Sequence, residues 1–291
     1  MSVASTSPEF TAESASVLII IPTYDEAQNI EDIVFRSLLH VPNGHVLVVD
    51  DGSPDGTGVL ADRMAGDDLR VHAIHRKGKL GLGSAYIAGF EWGLARGYEI
   101  LVQMDADGSH PPETLPELIA ALANGNSSVP RVDLVIGSRW IDGGSVMNWP
   151  RSRQLLSRGG NLYARMALGI KVRDATAGYR AYRADLLRGI DLSTINSYGY
   201  CFQVDLTLRT LAAPSSIVEV PIVFRERERG ESKMSRSIVL EAMVKVTIWG
   251  GGRRAAQLSG LLRRRRGSAG TREALDIRQV MGTGSTIPPT D

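Results

Sequence analysis

Short apolar runs alternate with segments of helical periodicity over the first half of the chain. Val17–Ile21 is a continuous apolar run ended by Pro22 and reads as a buried strand. Ile30, Ile33, Val34 and Leu38 then recur at the spacing of one helix face. His45–Val49 is a second run, closed by Asp50, Asp51 and Gly52. A short helical stretch over Val59–Met64 leads to a third run, Leu69–Ile74. Ser84–Ala95 predicts a helix, Glu99–Met104 a fourth strand, Leu115–Leu122 a helix and Val132–Ile136 a fifth strand. After Arg139 the alternation weakens to helical patterns over Leu155–Leu168 and Gln203–Leu211 and a strand over Ile217–Phe224.

Strands alternating with helices imply an α/β fold, a mostly parallel central sheet flanked by helices. In such sheets ligands bind beyond the carboxyl ends of the strands. The polar residues concentrate there: Pro22-Thr23-Tyr24-Asp25-Glu26, Asp50-Asp51-Gly52-Ser53, Asp105-Ala106-Asp107 and Gly137-Ser138-Arg139. The pattern predicts a single folded domain over 17–249. Residues 1–16, rich in Ser, Thr, Ala and Glu, predict a disordered start. The Gly250-Gly251-Gly252 run, Arg263–Arg266 and a Gly/Ser/Thr/Pro end predict a flexible basic tail over 250–291.

The net charge of +1 argues against a globally basic nucleic-acid binder. Cys201 is the single cysteine, which excludes an intrachain disulfide framework and a multi-cysteine zinc site and fits a reducing compartment. The start lacks the basic and apolar regions of a signal peptide. No window reaches the ~18 uninterrupted apolar residues of a membrane span. The longest candidate, Ile238–Trp249, is short and holds Glu241 and Lys245. The expected location is the cytoplasm.

Asp105 and Asp107 follow a strand at i and i+2, where both carboxylates can converge on a hard divalent cation such as Mg²⁺ or Mn²⁺, with Ser109 adding an oxygen. Alone, an Asp-x-Asp pair occurs roughly once by chance in a chain of this length and serves equally as a solvated turn with a helix cap; its place at a strand end favours the metal reading. Asp50 and Asp51 read either as an Asx turn or as acceptors for a base or ribose. Pro22 and Tyr24 offer a flat wall for a base. Glu26 is a further acceptor or a first-turn helix charge. Gly78–Gly83 matches neither a dinucleotide fingerprint nor a phosphate-binding P-loop and reads as a turn. Arg225, Arg227, Arg229 and Lys233 suit phosphate oxygens, although Glu226, Glu228 and Glu231 between them equally describe a solvated charged loop.

Together these segments resemble the polyprenyl-phosphate mannosyltransferases, or dolichol-phosphate-mannose synthases, of glycosyltransferase family two. The matching pieces are IIIPTYDEAQNI, VVDDGSPDGT, KLGLGSAYIAGF, MDADGSHPPE, IGSRW, GGSVMNWPRSR, AGYRAYR and VPIVFRERERGESK, in the family's order over roughly Val17 to Trp249. The resemblance implies a GT-A fold, GDP-mannose as donor and polyprenyl phosphate as acceptor. It places Pro22, Tyr24, Glu26, Val49 and Asp51 at the guanosine end, and Asp105, Ala106 and Asp107 at the diphosphate and metal. Arg139, Arg227 and Lys233 would clamp phosphates, Asp107, Arg139 and Arg227 being the catalytic set. Arg153 and Ser157 would lie near the acceptor phosphate. Ser109 stands where some relatives carry Gln as a metal ligand. The transmembrane segments of some relatives are absent, so attachment would be peripheral at the inner face of the membrane, through a membrane-protein partner or through the bilayer itself. Ile238, Val239, Met243, Val246 and Trp249 form a candidate apolar face, for the bilayer or equally for packing on the catalytic domain, with Arg253, Arg254 and Arg263–Arg266 beyond it.

Overall fold

The computed structural model describes residues 15–124, 131–195, 200–226 and 243–251. Its strands are β1 (Val17–Thr23), β2 (His45–Asp50), β3 (Val71–His75), β4 (Ile100–Gln103), β5 (Leu134–Ser138), β6 (Ser145–Met147), β7 (Arg180–Arg183), β8 (Ile217–Pro221) and β9 (Val223–Arg225). The α-helices are α1 (Ile30–His40), α2 (Thr57–Asp67), α3 (Leu82–Ala95), α4 (Leu115–Asn124), α5 (Arg151–Leu168), α6 (Ala184–Arg188) and α7 (Tyr200–Ala212); residues 243–251 form a further helical segment. Seven strands make one sheet in the order β3-β2-β1-β4-β7-β5-β8, and β6 and β9 pair separately. Every pairing is parallel except those of β7, which runs antiparallel to both β4 and β5.

The central strands are apolar throughout because helices cover both faces. Alternate residues of β1 divide between two cores: Leu18 and Ile20 pack with Tyr86, Phe90 and Phe202, whereas Ile19 and Ile21 pack with Ile33, Leu118 and Leu122. Helix α3 lies close on the sheet, for a Cβ at Gly93 would come within 2.7 Å of both Leu18 and Leu101 side chains. Pro22 does not end β1. It pairs with Val49, and the strand runs on to Thr23. Its missing N–H faces β4, where the ladder already stops at the Ile20–Gln103 pair, so no hydrogen bond is lost.

Several elements differ from the periodicity. The run Ile217–Phe224 divides at Ile222, whose N–H donates to Ser138 O (3.0 Å) and whose carbonyl accepts from Ser145 N–H (3.0 Å). The third strand starts at Val71, leaving Leu69 exposed. Gly250 and Gly251 belong to the helical segment, and Gly250 abuts the Ala167 carbonyl of α5. The same segment buries Val246, packs Trp249 against the core and exposes Met243, Val244 and Ile248. Of the expected apolar face, Val246 and Trp249 pack on the domain, as the packing alternative has it, while Met243 is exposed. Ile238, Val239 and the Arg253–Arg266 stretch lie outside the described residues, as do 1–14 and 252–291.

β7 begins with Arg180, which is wholly buried. Its guanidinium donates to Ala177 O (2.7 Å), Gln203 O (2.9 Å), Thr207 Oγ1 (3.0 Å) and Ala175 O (2.8 Å). Arg180→Ala removes the guanidinium donor from the Ala175 and Ala177 carbonyls, each at a cost of about 1–3 kcal/mol, while Gln203 O keeps the Thr207 hydroxyl. Denaturant unfolding should show a loss of at least about 3 kcal/mol; a change under about 1 kcal/mol would mean that water replaces the guanidinium without penalty.

Candidate active site

The carboxyl ends of β1, β2 and β4 carry the site, and internal hydrogen bonds fix their loops. Asp50 accepts from Thr23 Oγ1 (3.0 Å), Gly52 N (3.1 Å), Ser53 N (3.1 Å) and Ser53 Oγ (2.5 Å), so it is the Asx-turn organiser. The loop after β1 hangs on the loop after β2: the N–H groups of Asp25, Glu26 and Ala27 donate to Ser53, Thr57 and Asp55 side chains. Asp51 accepts from Arg76 Nη1 (2.7 Å) and Leu80 N (3.1 Å), tying the 76–81 loop to the end of β2. Lys79 of that loop lies 4.1 Å over the Tyr24 ring. The Gly78–Gly83 turn thus closes the edge of the site, and it contributes a lysine that the sequence reading passed over.

Asp105 and Asp107 follow β4. The buried Tyr86 hydroxyl donates to Asp105 Oδ1 (2.8 Å). Burial, and then the Asp105 charge, push the Tyr86 phenol well above its ordinary value, so it stays a donor. The Asp105 N–H donates to His110 Nδ1 (3.0 Å), which requires the proton on Nε2. Burial lowers the His110 pKa against the nearby carboxylates. The 3.9 Å separation of His110 Nδ1 and Asp105 Oδ2 is therefore not an ion pair. Asp107 Oδ1 accepts from Ser109 N–H (3.1 Å). Ser109 Oγ is buried without a hydrogen-bond partner among the described residues. Two carboxylates plus an orphaned hydroxyl suit a hard cation whose remaining ligands come from substrate; the described residues hold no cluster of three or more His, Cys, Asp or Glu that would coordinate a metal by themselves.

Three expectations change in the structure. Val49 and Ala106 are buried, with side chains in the two cores, so only their backbones face the site. Arg139 is not an open phosphate clamp. Its Nε and Nη2 each donate to the buried Asp174 at 2.7 Å, and its backbone N–H adds a bond of 3.0 Å. Burial alone would raise the Asp174 carboxyl, but the Arg139 charge and these bonds outweigh it and hold the carboxyl below its ordinary value. Arg227 and Lys233 lie outside the described residues.

Arg153 and Ser157, on the first turns of α5, do come together. They line a cavity of about 370 Å³ whose other walls are chiefly apolar, among them Leu156, Tyr163, Val204 and Val246. Arg153 lies 4.0 Å over the Trp149 ring and pairs with Glu226. Glu226 in turn lines a second, polar cavity of about 270 Å³ that includes Asp107, Arg225 and Asn29. The Arg153–Glu226 pair therefore stands between an apolar cavity and the carboxylate pocket. Leu155 and Leu156 of α5 line the apolar cavity and are exposed, and Leu162 and Met166 are exposed further along the same helix.

A mostly parallel sheet with one antiparallel insertion and an Asp-x-Asp after its fourth strand defines the GT-A class. Solved structures of glucosyl-3-phosphoglycerate synthase from Mycobacterium tuberculosis share this fold. The complex with phosphoglyceric acid superposes with TM-score 0.62 at 20% identity, over 82% of each chain. The complex with Mn²⁺, UDP-glucose and phosphoglyceric acid gives 0.61 at 19% identity, over 82% of this chain and 81% of that one. Residues 18–190 match the glycosyl transferase family 2 model. The chain is 53% identical to polyprenol monophosphomannose synthase of Mycolicibacterium smegmatis, over 88% of this chain and 95% of the relative. It is 58% identical to undecaprenyl-phosphate mannosyltransferase of Micrococcus luteus, over 80% and 93%. The chain belongs to glycosyl transferase family 2, in its polyprenyl-phosphate mannose synthase branch.

Asp174→Asn would leave the Arg139 guanidinium buried against a neutral amide, at a cost of about 3–5 kcal/mol. The wild-type carboxyl has a lowered pKa, so its stabilisation is complete above the ordinary carboxylate range and is lost as pH falls through the folded value. Unfolding measured from pH ~7 to ~3 should show a steeper acid loss for wild type than for Asp174→Asn; parallel curves would contradict this assignment.

Proposed function

We propose that this chain transfers mannose from GDP-mannose to a polyprenyl monophosphate with inversion, giving a β-linked lipid sugar. One observation carries the reading: the apolar cavity with Arg153 and Ser157 at its wall adjoins the pocket that contains Asp107. An isoprenoid chain suits the apolar walls, and its phosphate suits the Arg153 guanidinium.

The acceptor phosphate is largely dianionic near neutral pH, by analogy with phosphoryl groups of second pKa about 6. It needs no strong general base. The protein has to align it behind the anomeric carbon and stabilise the departing nucleoside diphosphate. Tyr24 and Pro22 provide a wall for the base, and Glu26, whose carboxylate accepts from Asn29 (2.8 Å), lies beside them. Asp105, Asp107 and Ser109 would hold Mg²⁺ or Mn²⁺, which when bound supplies positive charge to the diphosphate. Arg227 and Lys233 are assigned the remaining phosphate contacts on the family pattern. Arg139 acts at one remove, as the buried partner of Asp174 on the wall of the acceptor cavity.

The acceptor is a lipid, and no helix among the described residues is long and apolar enough to cross a membrane. Leu155 and Leu156 of α5 are exposed at the cavity, and Leu162 and Met166 are exposed further along the helix. Arg151, Arg158 and Arg165 belong to the same helix, which contains no acid. This face suits peripheral attachment to the inner, anionic leaflet, directly or with a membrane-protein partner.

The test presents purified protein with anionic liposomes containing polyprenyl phosphate and with labelled GDP-mannose or UDP-glucose. The expected result is co-flotation and transfer from GDP-mannose, stopped by chelator and abolished in a folded Asp107→Ala protein. Arg153→Ala should raise the acceptor KM roughly 10-fold to 100-fold, the value of one charge-assisted contact. Equal turnover of UDP-glucose would overturn the donor assignment, and transfer in excess chelator would overturn the metal.

A further inference from the structure

Arg153, the cation assigned to the acceptor phosphate, already has an anion of its own. Its guanidinium pairs with Glu226, and the two side chains are 21% and 27% exposed, so solvent screens them only in part. A phosphate that reaches Arg153 from the apolar cavity either takes the place of the carboxylate or sits against its negative charge. Both oppose binding.

The backbone at Glu226 is held, which leaves the side chain as the part that can yield. Glu226 N–H donates to Met147 O (3.2 Å), and Met147 pairs with Arg225 between β6 and β9. Arg225 N–H donates to Ser109 O (3.3 Å), which joins this strand to the Asp107–Ser109 loop. Glu226 lines the polar cavity beside Asp107, and Arg225 lines the same cavity. A carboxylate displaced from Arg153 therefore keeps a second cation within its pocket.

The charges of substrate and product decide what this carboxylate does. The acceptor is a phosphate monoester, largely dianionic near neutral pH. In the transfer one of its oxygens bonds to the anomeric carbon as the bond from that carbon to the diphosphate breaks, and the electron pair leaves with GDP. The lipid product is a phosphodiester with a single charge. A dianion is drawn to Arg153 more strongly than a carboxylate is, whereas a monoanion is not. Glu226 is also tethered beside the guanidinium, so it returns at a high effective concentration. The competition weakens both lipids by one factor, but the substrate starts from the stronger attraction. It stays bound where the product departs.

We propose that Glu226 competes with the lipid phosphate for Arg153, and that this competition releases the monoanionic product. The proposal rests on the acceptor assignment above and adds the residue that governs product departure.

Calorimetric titration with citronellyl phosphate, a short-chain monoester, and with its methyl diester tests this. Wild type is compared with Glu226→Gln, Glu226→Ala, Arg153→Ala and the Arg153→Ala/Glu226→Gln double variant, with thermal melting alongside. The two Glu226 variants should keep the melting temperature and bind both probes roughly 5-fold tighter, the upper value for an exposed ion pair. In turnover, their acceptor KM should fall and inhibition by added lipid product should strengthen by a similar factor. The gain should disappear in the Arg153→Ala background. Weaker binding in Glu226→Gln would overturn the proposal and make Glu226 a residue that holds Arg153 in place for the phosphate. Unchanged affinity would overturn it too, as would a gain that persists without Arg153. If Arg153→Ala alone binds the monoester as wild type does, the acceptor assignment itself fails and this inference falls with it.

Discussion

The Arg180 guanidinium lies inside the protein among carbonyls and a hydroxyl, and the arrangement of the site depends on it. A buried cation is tolerated only when its donors are met by well-placed acceptors. Here the acceptors are the carbonyls of Ala175, Ala177 and Gln203 and the Thr207 hydroxyl. Meeting them fixes the segment ahead of β7 against the first turns of α7. That segment also includes Asp174, which holds Arg139, and Gly178, which faces Asp105. β7 itself runs antiparallel between β4 and β5, so one short strand links the carboxylates after β4 to the cavity beside α5.

The second organising feature is the meeting of two solvents. The polar pocket by Asp107 and the apolar cavity under α5 share the Arg153–Glu226 pair at their border. A lipid phosphate needs such a border, since its chain and its head prefer opposite surroundings. The pairing of Arg153 with Glu226 holds the guanidinium over Trp149, so an anion bound there would meet a side chain that is already ordered.

Much of this was legible in the sequence, and what was not has identifiable causes. The parallel strands declared themselves because double-sided burial produces uninterrupted apolar runs, as in Val17–Ile21 and His45–Val49. β7 did not, because Arg180 and Arg183 give it the look of a polar loop although Arg180 is fully buried. The motif singles out Arg153 and Ser157, and the structure brings both to one cavity. Tyr86 and Gln203 carry no local signal: each reads as an ordinary helix position, and only tertiary packing sets the Tyr86 hydroxyl on Asp105 and the Gln203 amide beside Gly178. Val49 and Ala106 mislead for a related reason, since a motif marks backbone positions at a strand end without saying which way the side chain turns. Arg139 misleads because its partner Asp174 is 35 residues away in sequence.

The acceptor site proposed above is the cavity between α5 and the 243–251 segment, from which a lipid phosphate would meet the Asp107 pocket. Photocrosslinking with a polyprenyl phosphate bearing a diazirine near its first isoprene unit, read by peptide mass spectrometry, addresses it directly. Labels are expected on α5 between Leu155 and Ala164 and on Val204, Met243 or Val246, competed away by unmodified polyprenyl phosphate. Competable labels confined to α1, α2 or the outer face of the β3 edge would contradict it.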